Sequence, residues 1–338
     1  MPVKHTDTTL RASHRYQTCT ACCQNQDISG SNQLNMGEER TRTMTPSRLS
    51  ATVVARTITG LLLATAVHAA LLLAGCAGDS ATPPPSAAAL QTMYSSATYD
   101  ARTVTSAKIS RNLTPITNDN PALIWENNIP GSRVLMLSWI RSSDARYYDG
   151  TVDPACRPGS ANCTLKADLW VTAAPEMKTF FLGTAPQPLR IAQLLGVPPE
   201  YASEARSMVE LWVAPKDMFR PCPDPEITDR ECETGFPSDP FRTFSSTDLV
   251  RATEGPGWNV FMNYTGWFNN RKDYIYTDPR NYPASSPYPW TRLGYTYDWG
   301  SPSHIGLSEF VVHGRKQDGS GVSVGIRSLK TTADYFQQ

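Results

Sequence analysis

Arg133-Val134-Leu135-Met136-Leu137-Ser138-Trp139-Ile140 is the stretch from which the fold is read. It is an apolar run stopped on one side by Pro130-Gly131 and on the other by the charged stretch from Arg141 to Arg146. A short apolar run between turn signals reads as a buried strand. Moving outward, Leu165 to Thr172 gives a second candidate strand, ending ahead of Pro175. Met208 to Val213 gives a third, in which Glu210 faces differently from Val209 and Leu211 by the two-residue period. Between them, Pro188 to Leu195 reads as a short helix, with proline tolerated in its first turn and Gly196 available as its stop.

The later half is richer in aromatic residues. Trp258 to Tyr264 alternates as WNVFMNY and is expected to be extended, followed by a polar, aromatic loop from Thr265 to Trp290. Arg292 to Tyr297, Ile305 to Val312 and Gly321 to Leu329 are further extended segments, and Lys316-Gln317-Asp318-Gly319 between the last two predicts a hairpin. Upstream, Leu90 to Ser106 is weakly amphipathic and supplies one helix. Extended runs are not regularly separated by crossover helices, so the expected class is α+β, a mostly antiparallel sheet with a few short helices. No fixed-period repeat is present.

Ahead of this region, ITGLLLATAVHAALLLA runs from Ile58 to Ala74 and ends in Leu73-Ala74-Gly75-Cys76, with Arg48 and Arg56 before it. A basic approach, an apolar core and a small-residue exit is the layout of an export signal. Leu73 to Cys76 resembles the lipobox of bacterial lipoproteins. The resemblance covers Met44 to Gly78 and implies cleavage before Cys76, a diacylglycerol thioether on its sulfur and acylation of the new amino group. Several acyl chains give stable attachment where one gives only marginal binding. Ala77, standing where Asp directs inner-membrane retention in enterobacteria, favours the outer membrane. The expected organisation is therefore a segment 1–43 that is disordered or lies upstream of the true start, a lipoprotein signal 44–75, a lipidated tether 76–89 rich in proline, and one α+β domain 90–338.

From Cys76 onward there are 263 residues, with 24 Lys+Arg against 27 Asp+Glu, a net charge of −3 and no basic block. Without a positive face to release counterions, nucleic acid is disfavoured as a partner. The bilayer, through Cys76, and an envelope protein or glycan are the expected partners. Four further cysteines fall into two close pairs, Cys156 with Cys163 and Cys222 with Cys232, each bracketing a polar, turn-rich segment. Four cysteines allow three connectivities; the two local bonds are preferred, in keeping with an oxidising compartment. The loop closed by Cys222 and Cys232, with its prolines, suits a preorganised recognition surface or a loop hardened for life outside the cytoplasm. Cys19, Cys22 and Cys23 form half of a metal knuckle with nothing to complete four ligands, so no metal or cofactor is expected.

Chemistry has few footholds. After Cys76 there are two histidines, His304 and His313, and neither an HExxH zinc motif nor a GxSxG nucleophile elbow. The densest candidate is Trp290 to Gly300, followed by His304 and Glu309. Asp298 and Glu309 offer the two carboxylates of glycosidic hydrolysis, a chemistry that requires a separation of roughly 5–9.5 Å, with His304 as a candidate base. Arg292, Tyr295, Tyr297 and Trp299 are the candidate ligand-binding residues. The plainer expectation is that the rings pack, that Asp298 caps a turn and pairs with Arg292, and that Glu309 is exposed. A noncatalytic protein- or glycan-binding domain is the leading expectation, and a periplasmic or surface carbohydrate hydrolase the alternative.

Overall fold

In the computed structural model the run at 133–140 becomes β1 (Val134–Arg141), near the middle of a seven-stranded sheet. The described residues are 84–238, 250–251, 261–276, 288–314 and 320–337, all in a unit that spans Ala81–Gln338. The lipobox, Cys76 and the segment before it lie outside them, as does the turn Lys316–Gly319. In chain order the other strands are β2 (Ser160–Thr164), β3 (Leu169–Ala173), β4 (Arg206–Val213), β5 (Met218–Phe219), β6 (Val250–Arg251), β7 (Phe261–Met262), β8 (Tyr295–Tyr297), β9 (Ile305–Ser308), β10 (Phe310–Val312) and β11 (Ser323–Thr331). The helices are α1 (Ala87–Ala101), α2 (Ala174–Phe180), α3 (Pro188–Leu194), α4 (Tyr264–Tyr276) and α5 (Thr332–Phe336). Among the described residues no helix is long and apolar enough to cross a membrane.

The main sheet has the order β2-β11-β4-β1-β3-β10-β5, every pairing antiparallel. The architecture is thus α+β. β1 runs beside β4 along its whole length, from Val134 opposite Val213 to Arg141 opposite Arg206. Both faces of this pair are buried, which is why its sequence is continuous rather than alternating. Val134 and Met136 join Val209, Leu211 and Val213 beneath Trp125, Ile227 and the Cys156–Cys163 disulfide. Leu135 and Leu137 join Met208 on the other face, under Met177 of α2, Ile191 and Leu194 of α3, and Tyr335 and Phe336 of α5.

Several segments depart from expectation, each for a local reason. The expected loop after Tyr264 is the helix α4: Asn263 Oδ1 accepts from the Gly266 amide at 2.8 Å, a helix N-cap. Tyr264, Trp267, Phe268 and Ile275 then fall on one buried face at helical spacing. α1 starts at Ala87, inside the expected tether, because Ser86 Oγ accepts from the Ala89 amide, and it ends at Ala101 rather than Ser106. No β10–β11 hairpin forms; β3, β1 and β4 stand between those strands. The expected helix at Pro188 is present, with Gly196 at φ +65° just beyond it, where a Cβ would meet the Tyr297 carbonyl at 3.0 Å.

Candidate functional site

The sheet opens where β3 changes neighbours. Leu169, Trp170 and Val171 pair with Val312, Val311 and Phe310 of β10, whereas Thr172 and Ala173 pair with Leu137 and Met136 of β1. Past that point β1 and β3 are joined by a side chain, Ser138 Oγ donating to the Trp170 carbonyl at 2.9 Å. A cavity of about 290 Å³ lies at this seam. Six aromatic residues line it: Trp139 from β1, Trp170 from β3, Tyr288 and Trp290 from the segment before β8, and Tyr295 and Tyr297 from β8 itself. Arg271 and Ile275 come from α4, and the Arg271 guanidinium lies 5.1 Å from the centre of the Trp170 ring.

Glu309 supplies the carboxyl group. The segment Ile305–Val312, expected to be one extended run, breaks at this residue: β9 pairs with β8, while β10 joins the main sheet. The Glu309 amide is held by the Gly294 carbonyl at 2.9 Å. The residue lines the cavity and is half-buried, not exposed, and Oε2 is sealed from solvent without a hydrogen-bond partner. Burial pushes its carboxyl up to about 8, with Arg271 pulling the other way. Trp290 Nε1 is likewise buried and without a hydrogen-bond partner. The cavity therefore combines an apolar, ring-lined wall with one unsatisfied acceptor and one unsatisfied donor, the usual ingredients of a small-ligand site.

The other expected residues are placed elsewhere. Asp298 is not among the residues around this cavity. Its two oxygens accept from the Arg190 guanidinium at 2.8 and 2.6 Å, and its Oδ1 also takes the Gly300 amide at 3.0 Å. The turn-capping expectation holds, but the cation beside it is Arg190 of α3 rather than Arg292. Arg292, at φ +58°, instead donates to the carbonyls of Ala101 and Arg102 at the end of α1, at 3.1 and 2.6 Å, where a cation is favoured. Trp299 packs edge-on against Tyr94 and donates Nε1–H to the Val197 carbonyl. His304 stacks on Tyr297 at 4.8 Å.

His304, Tyr295 and Tyr297 border a second cavity of about 100 Å³, with Asp100 and Lys108. There Asp100 accepts from Lys108 Nζ at 2.9 Å and from the Tyr297 hydroxyl at 3.0 Å. Burial works to raise the Asp100 carboxyl, but these two hydrogen bonds and the nearby positive charge, Lys108 first, together hold the group below its ordinary value. Tyr297 is raised, by burial first and then by Asp100. The polar groups of this smaller space are satisfied by one another, which suits a structural pin between α1 and β8.

The proline-rich loop carries both a disulfide and a buried charge. Cys222 and Cys232 are bonded, as are Cys156 and Cys163, the two local pairs expected. Arg220 is wholly buried beside this loop, with Nη2 donating to the carbonyls of Thr114, Ile227 and Asp229 at 3.3, 3.4 and 3.1 Å. Burial lowers its guanidinium to about 10 and raises the Asp229 carboxyl to about 6, against the attraction between them. The loop is thus wrapped on a charged side chain and braced from within.

Sequence reasoning did not single out Ser138, Trp139, Trp170, Thr172, Arg271 or Tyr288 as site residues. The signal for Trp139 and Trp170 is their place in otherwise aliphatic strands; nothing local marks Arg271. No protein-family model, no curated protein and no solved structure matches this chain.

Proposed function

We propose that this protein is a lipoprotein of the bacterial cell envelope whose folded unit is a noncatalytic glycan-binding module, with the ligand held in the aromatic cavity at the β1–β3 seam. The observation that carries the binding reading is the cavity itself, lined by six aromatic residues and Glu309, with Glu309 Oε2 and Trp290 Nε1 unpartnered. Ring faces offer apolar area without flexible side chains to immobilise, and the two polar atoms fix orientation. A concave wall suits a sugar ring better than the flat surface of a folded protein. Attachment through an acylated Cys76, with the outer membrane favoured, is supported by the Leu73–Cys76 motif and agrees with two disulfides in the folded unit.

The hydrolase reading draws on one feature, a carboxyl raised by an apolar site in the manner of a general acid. It lacks a partner: Glu309 is the only carboxylate among the described residues lining the cavity, and Asp298 is held by Arg190. Incubating the purified protein with cell-wall glycan fragments, by co-sedimentation and by reducing-sugar release, tests both readings. Retention on the glycan without new reducing ends is the expected result; new reducing ends that vanish in E309Q overturn the noncatalytic reading. Mass spectrometry of the membrane-extracted protein should show a diacylated, N-acylated Cys76 at its N-terminus, and an unmodified, uncleaved leader would overturn the anchor.

A further inference from the structure

The two unsatisfied atoms of the cavity are of opposite kinds. Once ionised, Glu309 Oε2 accepts; Trp290 Nε1 donates; and the two residues line one 290 Å³ space. A ligand that is only a cation would satisfy the carboxylate but not the indole, and would add a charge beside the Arg271 guanidinium. A ligand that is only an anion would meet the indole and face the carboxyl. A hydroxyl group both donates and accepts. Resting on the glycan-binding reading, we propose that the cavity takes a single neutral sugar ring, that Glu309 Oε2 and Trp290 Nε1 are its recognition pair for ring hydroxyls, and that Glu309 is the specificity-determining residue.

Size points the same way, because about 290 Å³ lies at the small end of the ~300–1,000 Å³ typical of small-molecule sites, room for one ring rather than a chain. The other charged or titratable groups lining the cavity from the packed elements are Arg271 of α4, Tyr288, and Tyr295 and Tyr297 of β8. Tyr295 is raised to about 12 and Tyr297 is raised as well, both chiefly by burial, so neither loses its proton near neutrality. Glu309, raised to about 8, is still mostly protonated at neutrality and ionises as the pH climbs through that value. A hydroxyl donates more strongly to a carboxylate than to a neutral acid. Binding therefore draws the proton off Glu309, and the apparent affinity follows the ionised fraction.

The experiment is calorimetric titration of the purified protein with N-acetylglucosamine, methyl β-D-glucoside and methyl α-D-mannoside at pH 6, 7 and 8, repeated on E309Q after a thermal melt confirms that it is folded. At least one sugar should bind the parent protein. Its Kd should fall about tenfold from pH 6 to 7 and roughly fivefold from 7 to 8, with proton release seen as a dependence of the heat on buffer. E309Q should abolish that pH slope and weaken binding at pH 8 by about tenfold or more. A sugar that binds E309Q as it binds the parent, with the same slope, overturns the role of Glu309 while leaving a glycan site in place. Absence of binding by all three up to about 10 mM at every pH overturns the glycan reading itself.

Discussion

Replacing Glu309 by glutamine should stabilise the folded protein at alkaline pH and do nothing of the kind in acid. Glu309 titrates near 8 when folded, against an ordinary value of 4.5, because its carboxylate is buried with Arg271 as its one electrostatic counterweight. The folded chain thus holds this proton more tightly than the unfolded chain. Its contribution is intact below about pH 4.5 and is lost as the pH rises through about 8. At about 1.4 kcal/mol per pH unit the full loss is roughly 5 kcal/mol. Relaxation of the site and entry of water reduce this, leaving about 3 kcal/mol to be seen. An amide in place of the acid can leave its own polar atoms unsatisfied, costing ~1–3 kcal/mol, but that cost is the same at every pH. The readout is accordingly the change in the E309Q-minus-parent difference between pH 4.5 and pH 9, by urea titration or melting. It should favour E309Q by about 3 kcal/mol, or roughly 10 °C for a unit of this size, at the alkaline end. Asp229 and Glu176, also raised mainly by burial, titrate in both proteins and cancel. A difference that stays flat across that range would refute the claim that burial raises this carboxyl, with Oε2 lacking a hydrogen-bond partner.

Three other outcomes follow from the packing. R190A leaves Asp298, whose side chain is 1% exposed against 29% for Arg190, without its cation. Chemical denaturation should show a loss of roughly 3 kcal/mol, part of it recovered in the double variant R190A/D298N. G294A should cost about 2 kcal/mol or more in the same assay, because Gly294 sits at φ +74° and a Cβ would fall 2.6 Å from Arg220 Cδ and 2.7 Å from Cys232 Sγ. Opening the Cys222–Cys232 loop by C222S/C232S should lower stability by about 3 kcal/mol, the chain-entropy cost of so short a loop. It should also raise hydrogen exchange at Leu113, whose amide is held by the Arg230 carbonyl of that loop at 2.9 Å.

The parts of this molecule that the sequence announces are those decided by contiguous residues. β1 is legible because both its faces are buried and its apolar run is unbroken; β4 is legible for the same reason, with Glu210 the exception that falls on one face. α3 is framed by Pro188 and Gly196, and both disulfides close loops short enough to read directly. α4 carried its signals too, Asn263 as a cap and buried rings at spacings of three and four, but its many polar residues disguised the helical period. What could not be read is set by pairing between distant strands. The switch of β3 from β10 to β1 has no local marker, and without it nothing brings Trp139, Trp170, Arg271 and Glu309 together. Asp298 shows the same limit: a carboxylate beside tyrosine and tryptophan looks catalytic until an arginine more than a hundred residues upstream claims it.

The change of partner within β3 has a mechanical consequence. The strands β2, β11, β4 and β1 form one slab and β10 with β5 another, and five residues of β3 splice the two, three gripping one side and two the other. A molecule lodged at that splice touches β1, β3 and Glu309, the residue that leads into β10. Its arrival should therefore stiffen the joint, slowing amide exchange in β5 and β11, which form no part of the wall around it.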